Sequence, residues 1–205
     1  LISHQSNQQF HKGEVIFREG AAPSGIFIIK NGKVKKYKTD QSGREQIIYV
    51  ANEGELIGYH SILSEERYPD SAAALETSLI SFIPKEDFSE VLRRAPHFAQ
   101  RLLKVLSHEF TVLTNSISVF AQRTATERLA IALIVLREKF KDAGSERNEI
   151  ILNISRTDLA NMAGIANENV IRLLKNFKSE GILETQGRKI RITDLNALIR
   201  KSNYK

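Results

Sequence analysis

The chain has 205 residues, 41% apolar and 26% charged with a net charge of +6, enough for one large or two modest domains with a real core. It contains no cysteine, which excludes disulfides, thiolate zinc sites and cysteine-ligated iron–sulfur clusters within these residues and suits a cytoplasmic protein. No apolar run approaches the roughly 18 residues that span a bilayer, no signal-peptide pattern opens the sequence, and the start at Leu1 reads as a chain with a few residues missing before it, so no membrane partner is expected. Up to Ile83 the sequence is cut by glycines at 13, 20, 25, 32, 43, 54 and 58 between short apolar stretches. Residues 26–30 and 33–38 flank Asn31-Gly32, the strongest short hairpin signal, because both turn positions favour a positive φ. Residues 45–50 follow a second turn at Ser42-Gly43, and 78–83 form a strand ended by Pro84. Many short strands with regular turns predict a small antiparallel barrel or roll.

The period then changes. Pro96 suits a first helical turn, and neither Gly nor Pro follows before Gln122, which predicts one helix about 39 Å long. Leu103, Leu106, Phe110, Leu113, Ile117 and Phe120 fall on a heptad seam, with a second stripe of Leu102, Val105, Val112 and Val119 beside it. Two apolar stripes suit two neighbours: the roll on one side and the same helix of a second copy on the other, making the seam a homodimer interface.

The third segment begins with a helix over 125–141 and a polar loop over 142–148. Ser155 is an N-cap with Asp158 three residues later. Gly164 breaks that helix, a second runs over 167–179, and Gly181 ends it. Residues 182–185 and 189–193 alternate around Gln186-Gly187-Arg188 as a two-stranded wing, and 194–201 closes the chain as a short helix. Residues 155–176 fit a helix-turn-helix. Ala160 is small where two helices cross, Gly164 supplies the turn conformation, and Val170 and Leu173 pack back on the first helix. The start of the second helix exposes Asn167, Glu168, Asn169 and Arg172. Arg can fork onto guanine, Glu can accept from cytosine and Asn can bridge adenine. Glu168 and Arg172 also stand four apart, the spacing of an ion pair that merely supports the helix or orients the arginine. Charge agrees with a DNA partner: residues 1–95 carry 12 Lys/Arg against 13 Asp/Glu, residues 96–123 carry 3 against 1, and residues 124–205 carry 15 against 10. Double-stranded DNA is the expected partner of the third segment, with Arg156, Lys175, Arg188 and Lys189 as further contacts.

The order of roll, long helix and winged helix-turn-helix resembles the cyclic-AMP receptor protein and FNR (CRP-FNR) family of transcription regulators over essentially the whole chain. The resemblance rests on FHKGEVIFREG at 10–20, IFIIKNGKV at 26–34, GREQII at 43–48, GELIG at 54–58 and ENVIR at 168–172. It implies an α+β fold: an N-terminal antiparallel β-roll of jelly-roll type like those that bind cyclic nucleotides (1–95), a dimerisation helix (96–123) and a C-terminal winged helix-turn-helix (124–205). It implies that Glu168 and Arg172 are the main base readers and that Ser155 anchors a phosphate at a helix N-terminus. Ala166 and Asn167 depart from the family's usual Ser and Arg, so the usual target sequence is not carried over. RNA polymerase is a further partner implied by the family.

The sensor end departs further. Cyclic-nucleotide-binding relatives use a Gly-Glu pair for the ribose and an Arg-Ser pair for the phosphate; here the matching places hold Gly58-Tyr59 and Asp70-Ser71. An aspartate would repel the phosphate, Tyr59 is no carboxylate, and Arg67 stands three residues away from the place it would have to fill. On the long helix only Thr114 keeps the polar character of the family's ligand contacts. Gly58, Tyr59, His60, Asp70, Ser71 and Thr114 are therefore the candidate pocket for an unidentified small-molecule effector, and cyclic AMP is not the expected ligand. The cofactor stays unknown. Other readings are a haem-based gas sensor of the same family, whose axial ligand would be a histidine, a ligand-free constitutive dimer, and a cupin-like enzyme. The last lacks the His-x-His metal signature and any paired acid and base, so no catalytic or metal-binding residue is assigned and no enzymatic activity is expected.

Overall fold

The structure, a computed structural model, describes residues 6–141 and 150–203. They form two compact units, one drawn from residues up to 39 and 47–115, the other from 40–46 and 116 onward. The first unit's strands are β1 (Ser6–Phe10), β2 (Val15–Phe17), β3 (Gly25–Asn31), β4 (Val34–Thr39), β5 (Glu45–Ala51), β6 (Leu56–Ile57), β7 (Ser71–Ala74) and β8 (Ser78–Pro84). They make two four-stranded sheets of order β1-β8-β3-β6 and β2-β7-β4-β5. Alternation along β3 sends Ile29 into the cluster with Phe10, Phe17, Val34, Ile57 and Ile80, with Phe27 packed on it. Ile26 and Ile28 point to the opposite face. There they meet three helices: α1 (Tyr59–Ser64), α2 (Lys85–Arg94) and α3 (Pro96–Gln122), through Tyr59, Ile62, Phe88, Leu102 and Leu106.

Asn31-Gly32 does not close a hairpin. β3 and β4 lie in different sheets, and only Gly32 of the pair has a positive φ, 92°. The chain crosses here from one sheet to the other beneath Ser78, whose hydroxyl accepts from Lys33 N and donates to Glu76 O at 2.9 Å. A Cβ on Gly32 would collide with the Ser78 side chain and lie 2.8 Å from its Cα. The close passage, rather than a two-residue turn, explains the glycine. Ser42-Gly43 does turn a hairpin: Asp40 Oδ1 accepts from Ser42 N at 2.8 Å and Arg44 N at 3.0 Å, and β4 and β5 are neighbours.

The second unit contains α4 (Ala125–Lys139), β9 (Ile151–Asn153), α5 (Arg156–Ala163), α6 (Asn167–Ser179), β10 (Leu183–Gln186), β11 (Lys189–Ile192) and α7 (Leu195–Ser202). Thr124 opens α4 with a full capping box to Glu127, and Asn203 donates to Glu127 Oε1 at 3.1 Å, fastening the end of α7 to the start of α4. The wing has three strands, not the expected two: β9 joins the far side of β11, giving the order β10-β11-β9. Isolated two-stranded ribbons are marginal in water, and β9 adds buried Leu152 opposite Ile190. The loop expected over 142–148 lies outside the described residues. Among those described, no helix is long and apolar enough to cross a membrane.

The contrast between the two turn glycines is measurable. Gly43→Ala adds only the strain of a left-handed residue, about 1–2 kcal/mol, because nothing lies within 4 Å of the new Cβ. Gly32→Ala adds overpacking of about 1–3 kcal/mol on top. Urea unfolding followed on the roll should place Gly32→Ala clearly below Gly43→Ala; equal midpoints would contradict the close passage over Ser78.

Candidate nucleic-acid interface and sensor pocket

The helix-turn-helix is fixed from its termini inward. Ser155 Oγ accepts from Asp158 N at 2.9 Å and donates to the Asp158 carboxylate, so the hydroxyl expected at a phosphate is already engaged within the first turn of α5. Gly164 ends α5 in the left-handed conformation, φ 63°. α6 buries Val170, Leu173, Leu174 and Phe177 against the unit, and that commitment turns Glu168, Ile171, Arg172 and Lys175 outward.

Glu168 and Arg172 form no ion pair. The Arg172 guanidinium donates instead to Asn169 Oδ1 at 3.3 Å, one turn back, and Glu168 stands exposed without a charged partner among the described residues. Asn167 Nδ2 reaches Thr157 Oγ1 at 3.4 Å and links the starts of α5 and α6. Arg156 is half-buried, and its guanidinium donates to Gly187 O at 2.8 Å, holding the wing turn to the start of α5; burial pulls its pKa below the ordinary guanidinium value. It is thus placed to position the wing. Arg188 and Lys189 are exposed at the wing's tip.

The structure does not gather all the candidate pocket residues. Gly58, φ 81°, starts α1 and carries the buried Tyr59 and half-buried His60, stacked with ring centroids 4.2 Å apart. Tyr59 Oη donates to Glu109 Oε1 at 2.7 Å, and His60 Nε2 lies 2.8 Å from Glu109 Oε2. Burial alone would favour the neutral acid at Glu109, but the bonds from His60 and Tyr59 and the nearby Lys36 charge outweigh it and hold the carboxyl below its ordinary range. Burial, and then the bond to Glu109, push the Tyr59 phenol up. Asp70 is buried in an ion pair with Lys36 Nζ at 3.2 Å, and Ser71 Oγ accepts from Glu19 N at 2.9 Å. Arg67 donates to Gly20 O at 2.8 Å.

Two expectations change. Asp70 is not a bare negative charge, because Lys36 neutralises it; what stands where a phosphate would be gripped is an ion pair already satisfied. Thr114 is exposed and donates to Thr111 O at 2.9 Å on its own helix. The polar residue of α3 that bonds to α1 is Glu109, which sequence reasoning missed. It is the only acid in 96–123 and continues the spacing of Leu102 and Leu106, a charge on an otherwise core-facing stripe.

Along α3, Leu103 is 62% exposed, Phe110 68%, Leu113 45% and Ile117 68%. Leu106 is half-buried against the first unit's helical core, and Phe120 lies beside Gly164 with Arg128 over its ring at 5.9 Å. Among the described residues no group of three or more His, Asp or Glu side chains could hold a metal ion.

The sequence matches the family description of a cyclic nucleotide-binding domain over residues 7–95 and that of a Crp-like helix-turn-helix domain over 127–201. It is 31% identical over 195 residues to the anaerobic regulatory protein of Haemophilus influenzae, covering 95% of this chain and 76% of that protein. The chain belongs to the CRP-FNR family of transcription regulators. The transcriptional activator protein FnrA of Stutzerimonas stutzeri is 33% identical over 183 residues, 89% of this chain and 75% of its own. FixK2 from Bradyrhizobium japonicum has the same fold, with a TM-score of 0.86 at 21% identity over 98% of this chain and 99% of that one. This CRP-FNR protein is a DNA-binding transcription regulator, built as an antiparallel β-roll, a long helix and a C-terminal helix-turn-helix.

The Glu109 cluster has a pH signature. A carboxyl held below its ordinary range stabilises the fold above the unfolded value of about 4.3 and loses that contribution as pH falls through its folded value. The stability difference between wild type and Glu109→Gln, from urea midpoints at pH 7 down to 3.5, should therefore narrow as pH falls. A constant difference would contradict the bonding assigned to Glu109.

Proposed function

We propose that this regulator acts as a homodimer on a two-fold-related operator, with Glu168 and Arg172 of each α6 reading base edges in the major groove. The observation that carries this reading is the outward face of α6: two base-reading side chain types four residues apart, neither neutralising the other, on a helix whose opposite face is fixed in the core. Asn167 and Asn169 flank them. Lys175, Arg188 and Lys189 supply phosphate contacts, as does the N-terminus of α5 through its backbone N–H groups, the Ser155 hydroxyl being already bonded to Asp158. Arg156 contributes by setting the wing. The dimer forms along α3 through Leu103, Phe110, Leu113 and Ile117, with Leu106 and Phe120 at its edges. These four seam side chains, each at least 45% exposed, support a partner surface, and Val105 beside them is 46% exposed.

The chain divides functionally into a sensor roll (1–95), a dimerisation helix (96–123) and a DNA-binding unit (124–205). The roll responds to an effector other than cyclic AMP, because a cyclic phosphate would have to break the buried Lys36–Asp70 pair, and losing one partner of such a pair is strongly destabilising. Gly58, Tyr59, His60 and Ser71 are the remaining candidate contacts for that effector. The protein works in the cytoplasm on DNA and RNA polymerase and catalyses no reaction of its own.

An operator selected from random duplexes, with variants of it titrated at several salt concentrations, tests the reading. Arg172→Ala should cost roughly 1–3 kcal/mol per half-site and relax preference at one base pair. Lys175→Ala and Lys189→Ala should weaken binding to all sequences alike and flatten the salt dependence. Unchanged affinity and preference in a folded, dimeric Arg172→Ala protein would refute the assignment of α6 as the reading helix.

A further inference from the structure

Of the five aliphatic and aromatic side chains in α6, Val170, Leu173, Leu174 and Phe177 are at most 4% exposed, whereas Ile171 is 59% exposed. A β-branched residue at an exposed helical position loses side-chain freedom against the preceding turn and gains nothing from burial in return. Its place on the helix is specific. Ile171 stands three residues after Glu168 and one before Arg172, so the outward stripe runs Glu168, Ile171, Arg172, Lys175. An apolar side chain thus sits between two polar ones on the surface that the proposed function turns toward base edges.

The major-groove edge of a base pair offers hydrogen-bond donors and acceptors and one apolar feature, the C5-methyl group of thymine. We propose that Ile171 reads a thymine in each half-site by packing on that methyl group, adjacent to the base pair taken by Arg172. The inference rests on the reading of α6 as the DNA-facing helix and adds an apolar contact to it. Ile171 would then set specificity without any hydrogen bond, and the exposure that is unfavourable in the free protein would be removed on the operator. A second protein seated on this residue is the competing occupant, but the flanking Arg172 and Lys175 favour a polyanion.

The test uses the full chain and a duplex selected from a random pool. Each thymine is replaced in turn by deoxyuridine, which removes the methyl group and keeps the pairing and the O4 acceptor. At one thymine per half-site the wild type should bind about fourfold more weakly, the equivalent of one buried methylene at about 0.8 kcal/mol. Ile171→Ala should bind the thymine and deoxyuridine duplexes equally at that position and, on reselection, lose the thymine there while keeping the base read by Arg172. Binding to non-specific DNA should not change, which shows that the variant is folded. The proposal is overturned if no thymine is methyl-sensitive in the wild type, or if the deoxyuridine effect persists in Ile171→Ala. If Arg172→Ala also leaves preference untouched, the reading of α6 itself has failed; if Arg172→Ala relaxes preference and Ile171→Ala does not, only the present inference falls.

Discussion

Burial of one face of α6 determines what the other face can do. Val170, Leu173, Leu174 and Phe177 lock the rotation of the helix about its axis, since any turn large enough to hide Arg172 would expose at least one of them at about 1.5–3 kcal/mol per side chain. The Ser155 cap sets where α5 begins, and the left-handed Gly164 ends it and turns the chain toward α6. The Arg156 bond to Gly187 O ties the wing to that same corner. Rotation, entry and wing position are thus set inside one unit, and the outward side chains are presented at fixed angles before any DNA arrives. Such preorganisation limits the ordering cost that binding must offset.

The sensor end is governed by a different constraint, the need to satisfy polar groups taken out of water. Lys36 and Asp70 neutralise one another, Tyr59 and His60 both meet Glu109, and Ser71 accepts from the chain at Glu19. The same elements that resemble a nucleotide-binding roll are filled with protein–protein polar contacts. Glu109 matters beyond its own bonds because it sits on α3, the helix whose exposed apolar stripe is the proposed dimer surface. The bonds from Tyr59 and His60 to Glu109 are thus direct polar links between α1 and that helix.

The helix-turn-helix of the second unit was legible because its ends carry chemistry: Ser155 and Asp158 at one start, and Gly164 and Gly181 at two ends. α3 was legible from Pro96 and an unbroken apolar period. The sheets were less so. β7 is Ser-Ala-Ala-Ala, a strand made of residues without strand preference, held only by burial between its neighbours. α1 has six residues, too few for a period to show. Asn31-Gly32 gave the local signature of a hairpin, yet long-range packing under Ser78 used the glycine to change sheets. The site divides the same way. Glu168 and Arg172 could be found from spacing, whereas the Lys36–Asp70 pair joins residues 34 apart and Tyr59–Glu109 joins residues 50 apart, separations that no local pattern encodes.

If two copies of α6 enter successive major grooves, Arg172 of each forks onto guanine. Dimethyl sulfate protection of guanine N7 on the selected operator observes that event directly, because the reagent attacks the atom the arginine would cover. Protected guanines should appear in two half-sites about 10–10.5 base pairs apart, related by two-fold symmetry, with the protection lost in Arg172→Ala at concentrations that keep the duplex bound. Protection at a single half-site, or none in the major groove while the protein is bound, would contradict it.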